Sequence, residues 1–212
     1  MKEHSTIYIY PTDTVWGIGG SIYSESAFLQ VMQIKKVQFP RPVSVLVSSL
    51  ETLAQFVSLD DLPFSTEVLQ KVFASECSLG VPLELLKQSV PTWIYQGSDS
   101  VLFRCLAYPW ILQIVHDLGG APIVTTSLNL TSDPPISDWE GAERFWQTYA
   151  ADAKFIHKRE CLQALPTFSP SGQASTIIFL KKAPAGCSGK QPCLQIVREG
   201  RFAAGIAELL LA

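Results

Sequence analysis

The sequence predicts an α/β domain: a twisted, mixed sheet flanked by helices and carrying a concave cleft. Three observations lead there. Short β-branched runs alternate with amphipathic stretches along the whole chain. At 212 residues the chain is long enough to bury a full core without disulfides or a structural metal. Its 47% hydrophobic and 17% charged residues are a globular balance and exclude a disordered chain. No repeat and no linker divides it, so residues 1–212 are expected to form one domain.

The elements follow in order. Thr6-Ile7-Tyr8-Ile9 alternates and reads as a strand. It empties into Tyr10-Pro11-Thr12-Asp13-Thr14-Val15-Trp16-Gly17-Ile18-Gly19-Gly20, where hydroxyls, a carboxylate and glycines suit close approach to a ligand. Residues 24–36 place Ala27, Phe28, Val31 and Ile34 on one helical face, with Ser24 as N-cap. Residues 43–47 read as a buried strand after Pro42, and 50–56 and 64–73 as helices. Val101-Leu102-Phe103 is a candidate strand, 110–118 a helix stopped by Gly119-Gly120, and 123–125 a strand. A helix over 139–151 precedes strands near 155–157, 176–180 and 194–197, and 205–211 is a short apolar helix docked on the core. Residues 77–100 show weak periodicity, and 181–192 form a Pro/Gly/Lys loop.

Charge and composition remove several function classes. A net charge of −3 does not announce a nucleic-acid binder, although Lys35, Lys36 and Arg41 cluster, as do His157, Lys158 and Arg159. Five cysteines (Cys77, Cys105, Cys161, Cys187 and Cys193) contain no C-x-x-C pair, which fits idle thiols in a reducing compartment and no protein-bound metal. The N-terminal Lys2, Glu3 and His4 lack an apolar signal region, and no stretch approaches the ~20 apolar residues of a membrane span. A cytoplasmic protein without membrane contact is expected. Gly17-Ile18-Gly19-Gly20 has Ile22 where a dinucleotide fingerprint needs its third glycine, and residues 186–191 imitate a phosphate loop with the wrong spacing. His4, His116 and His157 are scattered, which argues against a His-centred triad or metal cage.

The chemistry is expected at polar strand ends. Thr125-Thr126-Ser127-Leu128-Asn129-Leu130-Thr131 leaves one strand, Ser175-Thr176 opens another, Arg198-Glu199-Gly200 closes a third, and Arg104 follows a fourth. Hydroxyls, amides and guanidinium groups in this setting suit a polyanionic nucleotide together with a small amino acid or carboxylate.

Taken together, these segments resemble the YrdC/Sua5 family, in the same order and over nearly the whole chain. YPTDTVWGIG resembles its YPT-acid-T-aromatic-G opening, residues 126–131 its TSAN-S/T-G segment, Ser175-Thr176-Ile177 its STV strand and Arg198-Glu199-Gly200 its terminal R-E/Q-G. Residues 35–46 resemble its basic Lys-x-Arg-Pro and Pro-Leu segment, and Arg104 its strand arginine. The resemblance implies one YrdC-like domain, without the extra C-terminal domain of longer Sua5 members. It also implies an activity: L-threonine, bicarbonate and ATP give L-threonylcarbamoyl-adenylate and pyrophosphate for modification of anticodon-loop adenosine in tRNA. Thr14, Arg104, Thr125 and Thr176 would bind threonine. Lys35, Lys36, Arg41, Ser127, Asn129, Ser175 and Arg198 would bind ATP, with Mg²⁺ accompanying the nucleotide and no side chain acting as nucleophile or base. Partners would be tRNA and downstream threonylcarbamoyl-transferase proteins. The chain departs from the family pattern at Val37 (an arginine in the family), Leu46 (often histidine) and Leu128 (a small alanine, so added bulk at a nucleotide contact), and it lacks the FWPGPLT stretch. These departures motivate an alternative, a catalytically altered relative that binds RNA or nucleotide.

Overall fold

In the computed structural model, which describes residues 5–39, 41–181 and 193–211, nine strands make one mixed sheet. They are β1 (Tyr8–Pro11), β2 (Trp16–Ser21), β3 (Ser44–Val47), β4 (Cys77–Pro82), β5 (Ser100–Cys105), β6 (Ile123–Ser127), β7 (Lys154–Phe155), β8 (Thr176–Lys181) and β9 (Cys193–Arg198). Their order across the sheet is β7-β1-β2-β6-β3-β5-β4-β8-β9. The pairs β1–β7, β3–β5 and β4–β8 are parallel and the others antiparallel, as a mixed sheet requires.

The helices are α1 (Glu25–Ile34), α2 (Leu50–Phe56), α3 (Thr66–Ala74), α4 (Thr92–Tyr95), α5 (Pro109–Asp117), α6 (Trp139–Tyr149), α7 (Lys158–Ala164) and α8 (Ala203–Leu211). The first three start from serines: Ser24, Ser49 and Ser65 accept hydrogen bonds from the amides of Ala27, Thr52 and Val68. Each satisfies one of the orphan donors of a helix N-terminus. Among the described residues, no helix is long and apolar enough to cross a membrane.

The structure corrects three sequence expectations. The first predicted strand is shifted, with β1 at Tyr8–Pro11, and the glycine-rich run after it, expected to serve close approach of a ligand, is itself a strand. Residues 16–21 form β2, paired with both β1 and β6. Here the glycines serve sheet packing, since a Cβ on Gly19 would lie 1.8 Å from the Val124 carbonyl oxygen. The weakly periodic stretch after residue 77 begins with β4, whose first five residues are all buried; a strand covered on both faces shows no alternation. The basic cluster His157, Lys158 and Arg159 starts α7. Of the loop expected over 181–192, Lys181 ends β8, and residues 182–192, with Cys187 and the false phosphate loop, lie outside the described residues, as do the N-terminal residues 1–4.

Alternate residues of single strands feed two hydrophobic clusters. Ile9, Val45, Val124, Phe103 and Ile178 belong to the larger one. Tyr8, Tyr10, Leu46 and Ile123 join Trp110, Ile111 and Ile114 of α5 and Cys161 of α7 in the smaller. The sheet is therefore core on both faces. The smaller cluster covers only part of its face. In β3 and β6 that face continues past Leu46 and Ile123 as Ser44, Thr125 and Ser127, and this polar continuation positions the site.

The close approach at Gly19 gives a first prediction. Gly19→Ala forces β2 away from the Val124 carbonyl and is expected to destabilise the protein by about 1–3 kcal/mol. Urea unfolding measures it, and an unchanged midpoint would contradict the β2–β6 pairing.

Candidate functional site

A cavity of about 210 Å³ lies over this polar continuation. Its floor comes from residues two apart: Ser44 and Leu46 of β3, Leu102 and Arg104 of β5, Thr125 and Ser127 of β6, and Ser175 and Ile177 at β8. Two-residue spacing means that one face of the sheet, and not only its strand ends, forms the site. Thr12 and Thr14 make one wall and Arg198 another. A second cavity of about 200 Å³ shares Pro42, Val43, Thr126 and Ser127 with the first and reaches Lys35, Arg41 and Asn129.

The Thr12-to-Val15 turn is fixed by its own hydroxyls. Thr12 Oγ1 donates to the Val15 carbonyl at 2.6 Å, and Thr14 Oγ1 lies 2.9 Å from it. Residues between α7 and β8 strap the turn from outside, because the amides of Ser171 and Gly172 donate to the carbonyls of Asp13 and Thr14 at 2.8 and 2.9 Å. Ser171 Oγ also donates to Glu76 Oε2 at 3.1 Å. Glu76 is buried at φ 55°, and burial raises its pKa against the lowering effect of that hydrogen bond. At the floor, Tyr10 donates its hydroxyl to Thr125 Oγ1 at 2.6 Å, and burial raises its pKa.

The dominant electrostatic feature is Arg104, only 5% exposed. Its Nη2 donates to both carboxylate oxygens of Asp13. Its Nη1 is buried and has no hydrogen-bond partner among the described residues. A guanidinium donor without a partner is costly unless an anion meets it. Across the cavity, Arg198 donates from Nε to the Ser175 carbonyl at 2.7 Å and from Nη2 to Ser175 Oγ at 3.0 Å, and Ser175 Oγ lies 3.0 Å from Ser78 Oγ. Desolvation, and after it the Arg104 charge, lowers the Arg198 pKa. The two cations thus repel across a space that an anion would fill. Burial pushes the Cys77 thiol up to about 12, which keeps the cysteine beside Ser78 from being a ready nucleophile.

Of the residues expected from sequence, Thr14, Arg104, Thr125, Ser127, Ser175 and Arg198 line the first cavity. Lys35, Arg41 and Asn129 line the second. Thr176 and Lys36 line neither, which corrects the sequence expectation. Thr176 is fully buried on the other face, its Oγ1 accepting from the Gly200 amide at 3.1 Å. Lys36 adopts φ 54° and turns to the Tyr149 ring, 5.2 Å from its centroid. Leu128 points into the main core, so the bulk expected beside the nucleotide is absent. The Asn129 amide is spent internally: Oδ1 accepts from Lys35 and Ser127, while Nδ2 donates to the carbonyls of Leu130 and Asp133 at 2.8 Å. Ser44 and Ser78 were missed from sequence; a lone serine inside an apolar strand was the available signal. Among the described residues, no group of three His, Cys, Asp or Glu side chains could hold a metal ion.

Comparison with known proteins identifies the family and the fold. The family model for Sua5, YciO and YrdC proteins, described as telomere recombination, matches residues 3–184. Threonylcarbamoyl-AMP synthase of Hydrogenovibrio crunogenus is 29% identical over 137 residues, covering 63% of this chain and 71% of its own length. The synthase of Xanthomonas euvesicatoria pv. vesicatoria is 31% identical over 129 residues, 61% of this chain and 67% of its own. P. abyssi Sua5 complexed with L-threonine shares the fold with a TM-score of 0.69 at 22% identity, covering 93% of this chain and 51% of that one. E. coli YciO shares it with a TM-score of 0.67 at 17% identity, covering 92% and 83%. The chain spans about half the length of the Sua5 structure.

The ion pair yields the second prediction. Asp13→Ala strands a buried guanidinium and is expected to cost about 3–5 kcal/mol of stability in chemical denaturation. A loss below about 1 kcal/mol would show that Arg104 does not depend on Asp13.

Proposed function

The chain belongs to the Sua5/YciO/YrdC family, and on that premise we propose that it is a nucleotidyltransferase making L-threonylcarbamoyl-adenylate and pyrophosphate from L-threonine, bicarbonate and ATP. The product would supply threonylcarbamoyl modification of anticodon-loop adenosine in tRNA through downstream transferase proteins. The observation that carries this reading is Arg104, a buried guanidinium that lines a cavity walled by hydroxyls and whose Nη1 has no hydrogen-bond partner among the described residues. It suits the carboxylate of a small amino acid, while Thr14 and Thr125 offer hydroxyls to its other polar groups and Thr12 holds the turn.

The threonine amine attacks the bicarbonate carbon, a C–N bond forms, and the carbon–oxygen bond that breaks releases its oxygen as water. An oxygen of the resulting carbamate attacks the α-phosphorus of ATP, and the bond to the leaving pyrophosphate breaks. Neither step uses a covalent enzyme intermediate, so the protein contributes position and charge. Arg198 faces Arg104 from the β9 side and suits the α-phosphate region. Arg41, exposed on the rim of the second cavity, suits the outer phosphates. Mg²⁺ accompanying the nucleotide would shield the phosphate charge. Cytoplasmic residence follows from the same reading, because its substrates and tRNA are found there.

Pyrophosphate release from ATP should require both L-threonine and bicarbonate. Arg104→Gln is expected to raise the KM for L-threonine about 10–100-fold, the equivalent of one charged hydrogen bond, with the KM for ATP changed by no more than a few-fold. Steady-state kinetics with a coupled pyrophosphate assay checks both. Release that ignores threonine, or binding of both ligands without any release, would overturn the assignment.

A further inference from the structure

Lys35 stands apart from the arginines of the site. It is 6% exposed and caps the C-terminus of α1 at the wall of the second cavity. Its Nζ donates to the carbonyl of Ser127, and at 2.9 Å to both the carbonyl and the Oδ1 of Asn129. In return its own carbonyl accepts from the amide and the hydroxyl of Thr131, both at 2.9 Å. Residues 127–131 are thereby fastened to the end of α1 from both sides.

Three acceptors match the three N–H donors of an ammonium and leave none for a phosphate. A neutral amine has two donors and a lone pair, so one of the three acceptors would lose its partner. The charged groups on neighbouring segments are Arg41 across the cavity and Asp133 beyond residue 131, with Lys36 turned away toward Tyr149. None of them contributes to the protonation of Lys35. Burial does, and it brings the pKa from 10.5 down to about 8.

We propose that Lys35 is a positioning residue and not a phosphate ligand: its ammonium form shapes residues 127–131 for the nucleotide, and nucleotide binding is coupled to uptake of a proton by Lys35. This rests on the reading that this wall takes the nucleotide. The coupling has a sign that separates it from a simple structural role. Between pH 8 and pH 10.5 the folded chain sheds a proton that the unfolded chain keeps, so global stability rises with pH through that window. Ligand affinity moves the other way, because binding selects the protonated arrangement.

The test is calorimetric titration of the protein with ATP and, separately, with adenosine at pH 7, 8 and 9, in two buffers of different ionisation heat. Affinity for both ligands should fall about fivefold between pH 8 and pH 9, with proton uptake approaching one per nucleotide at pH 9. Lys35→Met should weaken both ligands at pH 7 and abolish the pH dependence. A loss confined to ATP would make Lys35 a phosphate ligand and overturn the proposal, as would pH-independent binding by the unaltered protein, which needs no variant to fold. If the unaltered protein binds neither ligand, the functional reading falls. Side-chain ¹⁵N NMR then judges Lys35 by itself: a slowly exchanging ammonium titrating near pH 8 upholds the clamp, and free titration near pH 10.5 overturns it.

Discussion

The buried Arg104–Asp13 ion pair is the contact on which the site depends. It ties the middle of the sheet, at β5, to the turn that joins β1 and β2. Taking both charges out of water is expensive, and only close geometry with further hydrogen bonds offsets it. The surroundings supply them: the Asp13 carbonyl accepts from the strap at Ser171, and the turn is closed by the Thr12 and Thr14 hydroxyls. Asp13 engages one terminal nitrogen of the guanidinium, and the other has no acceptor among the described residues. An unsatisfied donor of this kind is a standing cost that an anionic ligand removes. Hydroxyls alone would form a polar hollow; the paired arginine gives that hollow a preference for negative charge.

Much of this was legible in the sequence, and the rest was hidden for physical reasons. Serine caps, helix stops and strand alternation located most elements, because local hydrogen bonding and burial period decide them. Strands β2 and β4 escaped because one is rich in glycine and the other is covered on both faces, so neither alternates. The family resemblance found the segments that build the cavity except β4, which brings Ser78. It did not tell which residue of each segment faces inward. Ser175 and Thr176 are neighbours at the start of β8 and point to opposite faces of the sheet, so one lines the cavity and the other joins the fold. Lys35 illustrates the same limit. A lysine beside a presumed phosphate site reads as a phosphate ligand, whereas the carbonyl oxygens that occupy it leave no trace in the sequence.

The departures from the family pattern carry unequal weight once the side chains are placed. Leu128 is a core residue and its size is absorbed there. Val37 is half-buried, packs against the main core and also lines the second cavity, so valine in place of the family's arginine leaves that wall without a charge and without a void. Arg41 lines the same cavity from the other end of the loop. One exposed guanidinium there replaces charge but not a fixed direction, because an exposed arginine keeps its rotamer freedom. Leu46 weighs most, since it belongs at once to the cavity floor and to the smaller hydrophobic cluster.

That double membership explains how the site is sized. On β3 and β6 the same face changes from apolar to polar between Leu46 and Ser44 and between Ile123 and Thr125. Helices α5 and α7 cover the apolar side of the boundary, and the cavity occupies the other side. The depth of the pocket is therefore a packing property, fixed by where the cluster around Trp110 and Ile111 ends. A polar side chain at Leu46 would add a ligand contact only by placing an unpaired group against that cluster. In this chain the boundary favours the core, and under the proposed function recognition would fall to Arg104 and to the hydroxyls of Thr14 and Thr125.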